Sequence, residues 1–347
     1  MENKLLRLGI IGLGGWSRQI FAAVDQLADV KITHCYSRYA ETSQAFAAEY
    51  DCTACRDYEE MIDDPHLDGV VVMSSNTAHE KDVTLAASKG KHILVTKPIA
   101  TTIGAARRMV AACHANDVVL AVGHQTRREP ALRRLKEVLD SGELGDVRLV
   151  EANYSTPGGL KIEEGNWRSG EEECPGGALI QIGIHVIDTL HYLIGPIRRV
   201  LSWQEGQERD LTSFPDVTAT LLEFESGLRG YLGSSYVSSF SHWMKLYGTK
   251  KNAFFSELGG LVLTEDSWEE GEVRQELAPP ANVTAPMPAI VEEMAEFAHC
   301  IRTGASPEIG SETAIHNLAV VLAAVESAKC EMPVDIASQV EEKGPKK

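Results

Sequence analysis

The stretch Leu5–Arg18, "LLRLGIIGLGGWSR", decides the fold. A short β-rich run ends at Ile11, and Gly12, Gly14 and Gly15 then lead into a helical pattern. Glycines in such a turn let the backbone approach a pyrophosphate closely. The start of the following helix adds unbonded N–H groups and a favourable dipole. Ser17 stands where the G-x-G-x-x-G pattern has its third glycine, and Trp16 opens the helix beside the turn. After the first strand of a βαβ unit this turn reads as a dinucleotide site. Without that context it would be an ordinary glycine turn.

The context is present. Further strands "VKITHCY", "GVVVMS", "KHILVT" and "VVLAVG" alternate with helical patterns up to about Val122, which predicts a doubly wound parallel sheet, a Rossmann domain over residues 1–124. Thr77 and Thr101 or Thr102 read as helix N-caps, and Gly90 as a helix stop. After about Gly142 the pattern changes to strands in succession, "DVRLVEANYS", "VTATLLEFE", "LRGYLGSSYVSS" and "HWMKLYGT", with Ser226-Gly227 as a hairpin turn. Residues 125–347 are therefore expected to form an α+β substrate-binding domain with an open, mostly antiparallel sheet. A helix from about Gly177 is ended by Gly195-Pro196, and late helices cover about Ile290–Arg302 and Glu312–Lys329. No internal repeat is evident, and the only low-complexity tract is the charged tail 341–347.

The chain's 347 residues, 44% hydrophobic, can bury two cores. Its net charge of -17 disfavours nucleic acid or an anionic membrane as the main partner and points to a small molecule. The first strand begins within a few residues of Met1, and no apolar run reaches the length of a membrane span, so a cytoplasmic protein is expected. The 7 cysteines are odd in number and scattered, which suits reduced thiols rather than a disulfide framework. Cys52 and Cys55 form a C-x-x-C with no second pair to complete a zinc site, and no metal is expected.

Three further segments carry chemistry. In "GGALIQIGIH" (176–185) the polar side chains are Gln181 and His185, one helical turn apart and able to touch one bound molecule. A core histidine is the bland alternative. In "ILVTKPIA" Lys97 lies at the carboxyl end of a parallel strand, where ligands of such sheets bind, and Pro98 constrains its turn, with a cis bond open to it. At the end of the second strand Ser37 and Arg38 replace the acidic residue of NAD-preferring folds. A hydroxyl and a guanidinium suit a 2′-phosphate, which favours NADP over NAD. Arg38 stacked on adenine or lying in solvent is the alternative. His124 and Arg127 in "VGHQTRREP", and Trp167-Arg168 in "NWRSG", could receive an anionic group or stack on a sugar ring. Surface ion pairs with the abundant acids are the other reading, and the favoured one for Arg128. His191 is taken as structural.

In order and spacing, "GIIGLGG", "VVVMSSNTAH", "TKP" and "GGALIQIGIHVIDTLHYLIG" resemble the Gfo/Idh/MocA oxidoreductases, relatives of glucose-fructose oxidoreductase and inositol dehydrogenase. The resemblance runs nearly end to end through "SGELGDVRLVEA", "FESGLRG" and "LYGTKK". It implies a nicotinamide-dependent dehydrogenase acting on a secondary alcohol of a sugar, cyclitol or related polyol. It also implies an open C-terminal sheet through which subunits pair, as a dimer or tetramer. Lys97 matches the family's active-site lysine and His185 its catalytic histidine. Ser74, Asn76, His79, Thr96, Lys97 and Gln125 fall where the family lines its dinucleotide.

Two departures stand out. Thr96 replaces the glutamate of E-K-P, and Gln181 replaces an aspartate one turn before His185, so a group that can accept a proton becomes one that can only hydrogen-bond. His185 would then take the hydroxyl proton, Lys97 would favour the alkoxide, and Gln181 would orient the substrate, with Asp188 a candidate to fix the His185 ring. Two other readings remain at this stage: a dehydrogenase of a carboxylated cyclic cis-dihydrodiol, served by Arg127 and Arg168, and a dinucleotide-binding sensor without catalysis.

Overall fold

The computed structural model describes residues 5–163, 166–206, 215–267, 271–281 and 287–340, so the charged tail 341–347 lies outside the described residues. The chain forms two compact units, residues 1–125 with 282–315, and 126–281 with 316–347.

The first unit is a six-stranded parallel sheet: β1 (Leu6–Ile11), β2 (Val30–Tyr36), β3 (Thr53–Ala54), β4 (Gly69–Val72), β5 (His92–Thr96) and β6 (Leu120–Gly123), in the order β3-β2-β1-β4-β5-β6. That order reverses direction between β1 and β4, the place where such sheets receive dinucleotides. Each central strand is apolar on both faces, as helices on both sides require. Gly90, at φ +69°, ends the helix His79–Ser88, and the Thr102 hydroxyl accepts the Ala105 N–H (3.2 Å) to cap Ile103–Ala115. Thr77 is not a cap. Thr77 lies inside the 3₁₀ turn Asn76–Ala78, which runs straight into the helix His79–Ser88.

The sequence reading placed everything after residue 124 in the second domain. The structure returns 282–315 to the first unit. The helix Pro288–Thr303 carries Ile290, Met294, Phe297 and Ala298 on one face, and these complete the core formed by Leu6, Leu8, Ile20, Phe21 and Val24. Burying that stripe fixes its place.

The second unit holds β7 (Val147–Ser155), β8 (Ile197–Glu205), β9 (Val217–Phe224), β10 (Arg229–Ser235), β11 (Ser241–Gly248), β12 (Asn252–Ser256), β13 (Gly260–Ser267), β14 (Gly271–Ala278) and β15 (Val334–Asp335). They make one sheet in the order β14-β13-β12-β11-β7-β10-β9-β8-β15. Gly227, at φ +86°, makes the β9–β10 turn. The sheet is mostly antiparallel, as expected, with β7 and β10 paired in parallel. Alternation puts Val150, Leu222, Leu246 and Ala253 inward, while Leu201, Trp203, Leu221, Tyr231 and Phe254 lie on the other side of the sheet.

Candidate active site

In the first unit the glycine turn is shaped as its sequence requires. Gly12 has φ +88°, and a Cβ there would sit 2.2 Å from the Met73 carbonyl oxygen at the end of β4, so only glycine fits. At Gly14 and Gly15 a Cβ would meet nothing within 4 Å, which leaves the turn open on the side a phosphate would approach. Ser17 is fully buried. Its Oγ accepts the Gly14 N–H (2.9 Å) and donates to the Gly14 carbonyl (2.6 Å), so the hydroxyl that replaces the third glycine pins the turn. The helix Gly15–Val24 has no acidic residue in its first turn to oppose an anion, and Trp16 is 41% exposed beside it.

At the end of β2 the Ser37 N–H donates to Ser43 Oγ (2.8 Å), and the exposed Arg38 guanidinium lies 5.1 Å from the Tyr39 ring centre. At the end of β4 the Ser74 hydroxyl donates to Asp82 (2.6 Å), and Asn76 is buried. His79 lies inside the unit, under the ends of β4 and β5. Its ring is fully buried, with Nδ1 3.0 Å from the Pro98 carbonyl and Nε2 3.2 Å from that of Ser74, and it braces the β4 turn against the β5 turn. That β5 turn holds half-buried Thr96 and Lys97, and the Lys97–Pro98 bond is cis. After β6, Gln125 is buried and His124 fully so, which leaves His124 no surface for a substrate.

In the second unit the segment read as one helix begins with a π-helical turn, Leu179–Gly183, and continues as the α-helix Ile184–Leu193. Gly183 lets the turn pack closely, since a Cβ would lie 2.6 Å from Ser234 Oγ and 2.7 Å from Leu179 Cδ1, and both side chains would have to move to admit it. Gln181 and His185 are both buried. The Gln181 amide donates to Cys174 Sγ, and the His185 ring lies 6.2 Å from that of Tyr154.

Arg127 and Asp188 depart from expectation. The Arg127 fork donates to both Asp188 carboxylate oxygens (2.7 and 2.6 Å) and to the Asp188 carbonyl (3.1 Å). Asn317 also donates to Asp188 (2.8 Å) and lies 2.6 Å from His191 Nδ1. Arg127 is therefore matched to an internal carboxylate, and Asp188 holds both Arg127 and Asn317. Arg128 is buried, not a surface partner of acids. Burial and the neighbouring His316 push His191 down to about 3, which keeps it neutral and structural. Arg168 and Trp167 remain half-buried on a 3₁₀ turn, with the guanidinium 4.2 Å over the indole.

Sequence reading missed a row of polar side chains. Strand register aligns Gln204, Thr218, Ser234, Tyr154 and His242 across β8, β9, β10, β7 and β11 on the inner face. His242 stacks on Tyr154 (4.3 Å, 15°), and its Nδ1 lies 2.6 Å from Glu257. In the next row inward, Ser202, Thr220, Leu232, Ala152, Met244 and Phe255, four of the six are already apolar. The polar row thus marks the end of the sheet that faces His185. Nearby Glu129 is 8% exposed; burial first, and then the Glu257 carboxylate, push it up to about 7. The alternation of "HWMKLYG" carried a signal, since it puts His242 on the side of Met244 and Leu246.

Together the open glycine turn at a sheet switch point and the buried histidine beside a polar row define a dinucleotide-dependent oxidoreductase. Residues 6–124 match the oxidoreductase family with an NAD-binding Rossmann fold, and residues 132–253 match the GFO/IDH/MocA C-terminal domain. The chain belongs to the Gfo/Idh/MocA family and is an NAD(P)-dependent enzyme. It is 27% identical to 1,5-anhydro-D-fructose reductase of Ensifer adhaerens over 93% of this chain and 96% of that one. It is 26% identical to an NADP(+)-dependent scyllo-inositol 2-dehydrogenase of Bacillus subtilis over 86% and 89%. A crystal structure from Desulfitobacterium hafniense, assigned as an NADPH-dependent oxidoreductase, is 32% identical and superposes with a TM-score of 0.88 over 98% of this chain and all of that one.

Among the described residues no group of three or more His, Cys, Asp or Glu could hold a metal ion, and no helix is long and apolar enough to cross a membrane.

Proposed function

We propose that this enzyme interconverts a secondary hydroxyl and a ketone on a sugar, cyclitol or related cyclic polyol. The observation that carries the reading is His185, buried on a helix that a charged pair anchors, at the polar end of the sheet. The nicotinamide, when bound, takes or gives the hydride. The glycine turn fits its pyrophosphate, since the space that Cβ atoms at Gly14 and Gly15 would enter is open. Ser37 and Arg38 supply a hydroxyl and a cation without an acid, which favours the 2′-phosphate of NADP. His185 accepts the hydroxyl proton, Lys97 stabilises the developing alkoxide, and Gln181, Trp167 and Arg168 orient the ring. A carboxylated diol loses support, because Arg127 is held by Asp188.

Pairing of two copies through the outer sheet face belongs to the same proposal. Trp203 (57% exposed), Leu221 (46%) and Tyr231 (36%) lie there as an apolar patch of the kind that marks interfaces. A cytoplasmic site is part of the reading too, supported by seven free thiols.

The test is to mix the protein with NADP or NAD and a panel of sugars, cyclitols and dihydrodiols, following nicotinamide absorbance. Turnover of a neutral polyol with NADP, lost in His185→Ala and Lys97→Ala, is expected. Dinucleotide binding without turnover of any substrate would favour the sensor instead.

A further inference from the structure

One member of the polar row is fixed on every side but one. His242 lies near the start of β11, and the register that pairs Trp243 with Ser256 brings Glu257 opposite it. Glu257 is tied to His242 twice. Its N–H donates to the His242 carbonyl (3.0 Å), and its carboxylate lies 2.6 Å from His242 Nδ1. The ring is also held from the sides, stacked on Tyr154 (4.3 Å, 15°) and crossed by the Phe255 ring at 5.4 Å and 81°. At 5% exposure it is oriented by the protein before any ligand arrives.

These contacts decide where the imidazole proton sits. An ionised carboxylate only accepts, so the neutral ring carries its proton on Nδ1 and donates it to Glu257. Nε2 keeps its lone pair. Among the described residues nothing bonds Nε2, nor the hydroxyl of Tyr154 beside it. A buried acceptor left without a donor is costly, and a ligand hydroxyl would supply one.

The place of this acceptor says which ligand. Tyr154 pairs directly with His242 across β7 and β11, and its ring lies 6.2 Å from that of His185 on its other side. Three rings thus follow one another along the inner face, a span that suits one polyol ring with a hydroxyl at each end. Phe240, 38% exposed, stands edge-on to Tyr154 (6.3 Å, 85°) and adds an apolar wall against which the C–H face of a sugar can pack.

We propose that His242, its tautomer fixed by Glu257, selects the substrate. Its Nε2 accepts the O–H of a hydroxyl remote from the carbon that His185 serves, and the Tyr154 hydroxyl bonds the neighbouring one. Polyols in which that remote hydroxyl is removed or capped as an ether are rejected, because neither can donate to Nε2. Naming the hydroxyl as remote rests on the proposed role of His185; the hydroxyl subsite itself rests on His242, Glu257 and Tyr154.

The test uses the full chain with glucose, xylose and myo-inositol, their monodeoxy derivatives and their mono-O-methyl ethers, read by nicotinamide turnover and by calorimetric binding. With the wild type, the deoxy derivative and the ether altered at one and the same position should show KM raised about tenfold with kcat unchanged, the effect of one unmade hydrogen bond to a buried acceptor. His242→Phe/Glu257→Gln keeps the ring stack and leaves no unpaired carboxylate. In it the parent polyol should show the same rise of about tenfold in KM, and the preference for the free hydroxyl should vanish. A preference that survives in this variant overturns the proposal, as does a loss carried by kcat with KM unchanged, or a wild type indifferent to every derivative. Should the double variant fail to fold, Glu257→Gln alone decides: with the tautomer released, the preference should weaken about threefold, and an unchanged preference overturns the proposal. Calorimetry separates this subsite from the proposed function. Binding with the hydroxyl preference but without turnover sinks hydride transfer and leaves the subsite, whereas turnover without the preference does the reverse. No binding of any parent polyol overturns the subsite.

Discussion

Arg127 and Asp188 form a bidentate pair whose side chains are 5% and 0% exposed, tying the segment after residue 125 to the helix that carries His185. Removing one partner strands a buried charge, a loss of about 3–5 kcal/mol. Arg127→Ala should therefore lower unfolding free energy by that order in urea titrations, and Arg127→Met/Asp188→Leu should lower it much less. Equal losses in the two proteins would show that the pair's charge is not what matters there.

Gly12→Ala should abolish dinucleotide binding or folding, because both its φ and the Met73 carbonyl exclude a side chain. Gly14→Ala, where a Cβ meets nothing, should fold normally and weaken binding only by intruding on the phosphate. Thermal melts with and without NADPH separate the two, and equal melting behaviour of both variants would contradict this account.

Glu129 makes stability fall as pH rises. Its folded value of about 7 lies above the ordinary 4.5, so between them the native state holds more protons than the unfolded chain. The stabilisation is complete below about 4.5 and is lost as pH rises through about 7, at most about 3 kcal/mol in all. Glu129→Gln should flatten this dependence and be the more stable protein at pH 8. Unfolding curves from pH 5 to 8 that are parallel for both proteins would rule the effect out.

Gly183→Ala should displace the π-helical turn and lower kcat, since its Cβ would strike Ser234 and Leu179. Pairing it with Ser234→Ala removes one of these clashes and should restore part of the loss, a coupling measurable as a double-mutant cycle. Strict additivity would mean that the Ser234 contact plays no part.

Trp203→Glu with Leu221→Glu should yield monomers in light scattering, with the secondary structure unchanged, if copies pair through the outer sheet face. A wild-type protein that is already monomeric would dispose of that reading.

The first unit was legible in the sequence because its signals are local. Gly90 and Thr102 each act within a few residues, and a parallel strand buried on both faces reads as an unbroken apolar run. The functions of Arg127, Asp188 and His79 were not legible, because each is set by a partner far along the chain: 61 residues separate Arg127 from Asp188, and 19 separate His79 from Pro98. A buried arginine and a ligand-binding arginine look alike until the partner is seen. The polar row was written in alternation within each strand, but its assembly depends on register across five strands, including the parallel β7–β10 pair that succession along the chain does not suggest. Thr77 has the chemistry of a cap, yet a 3₁₀ turn at 76–78 takes its place at the helix start.

The return of residues 282–315 to the first unit, before 316–347 go back to the second, interleaves the two units along the chain. No single cut yields two complete pieces. A fragment ending at residue 125 lacks Ile290, Met294 and Phe297, and would leave Ile20, Phe21 and Val24 to water. During synthesis the nucleotide-binding unit cannot close its core until the helix ending at Thr303 has left the ribosome, by which time most of the second unit has already emerged.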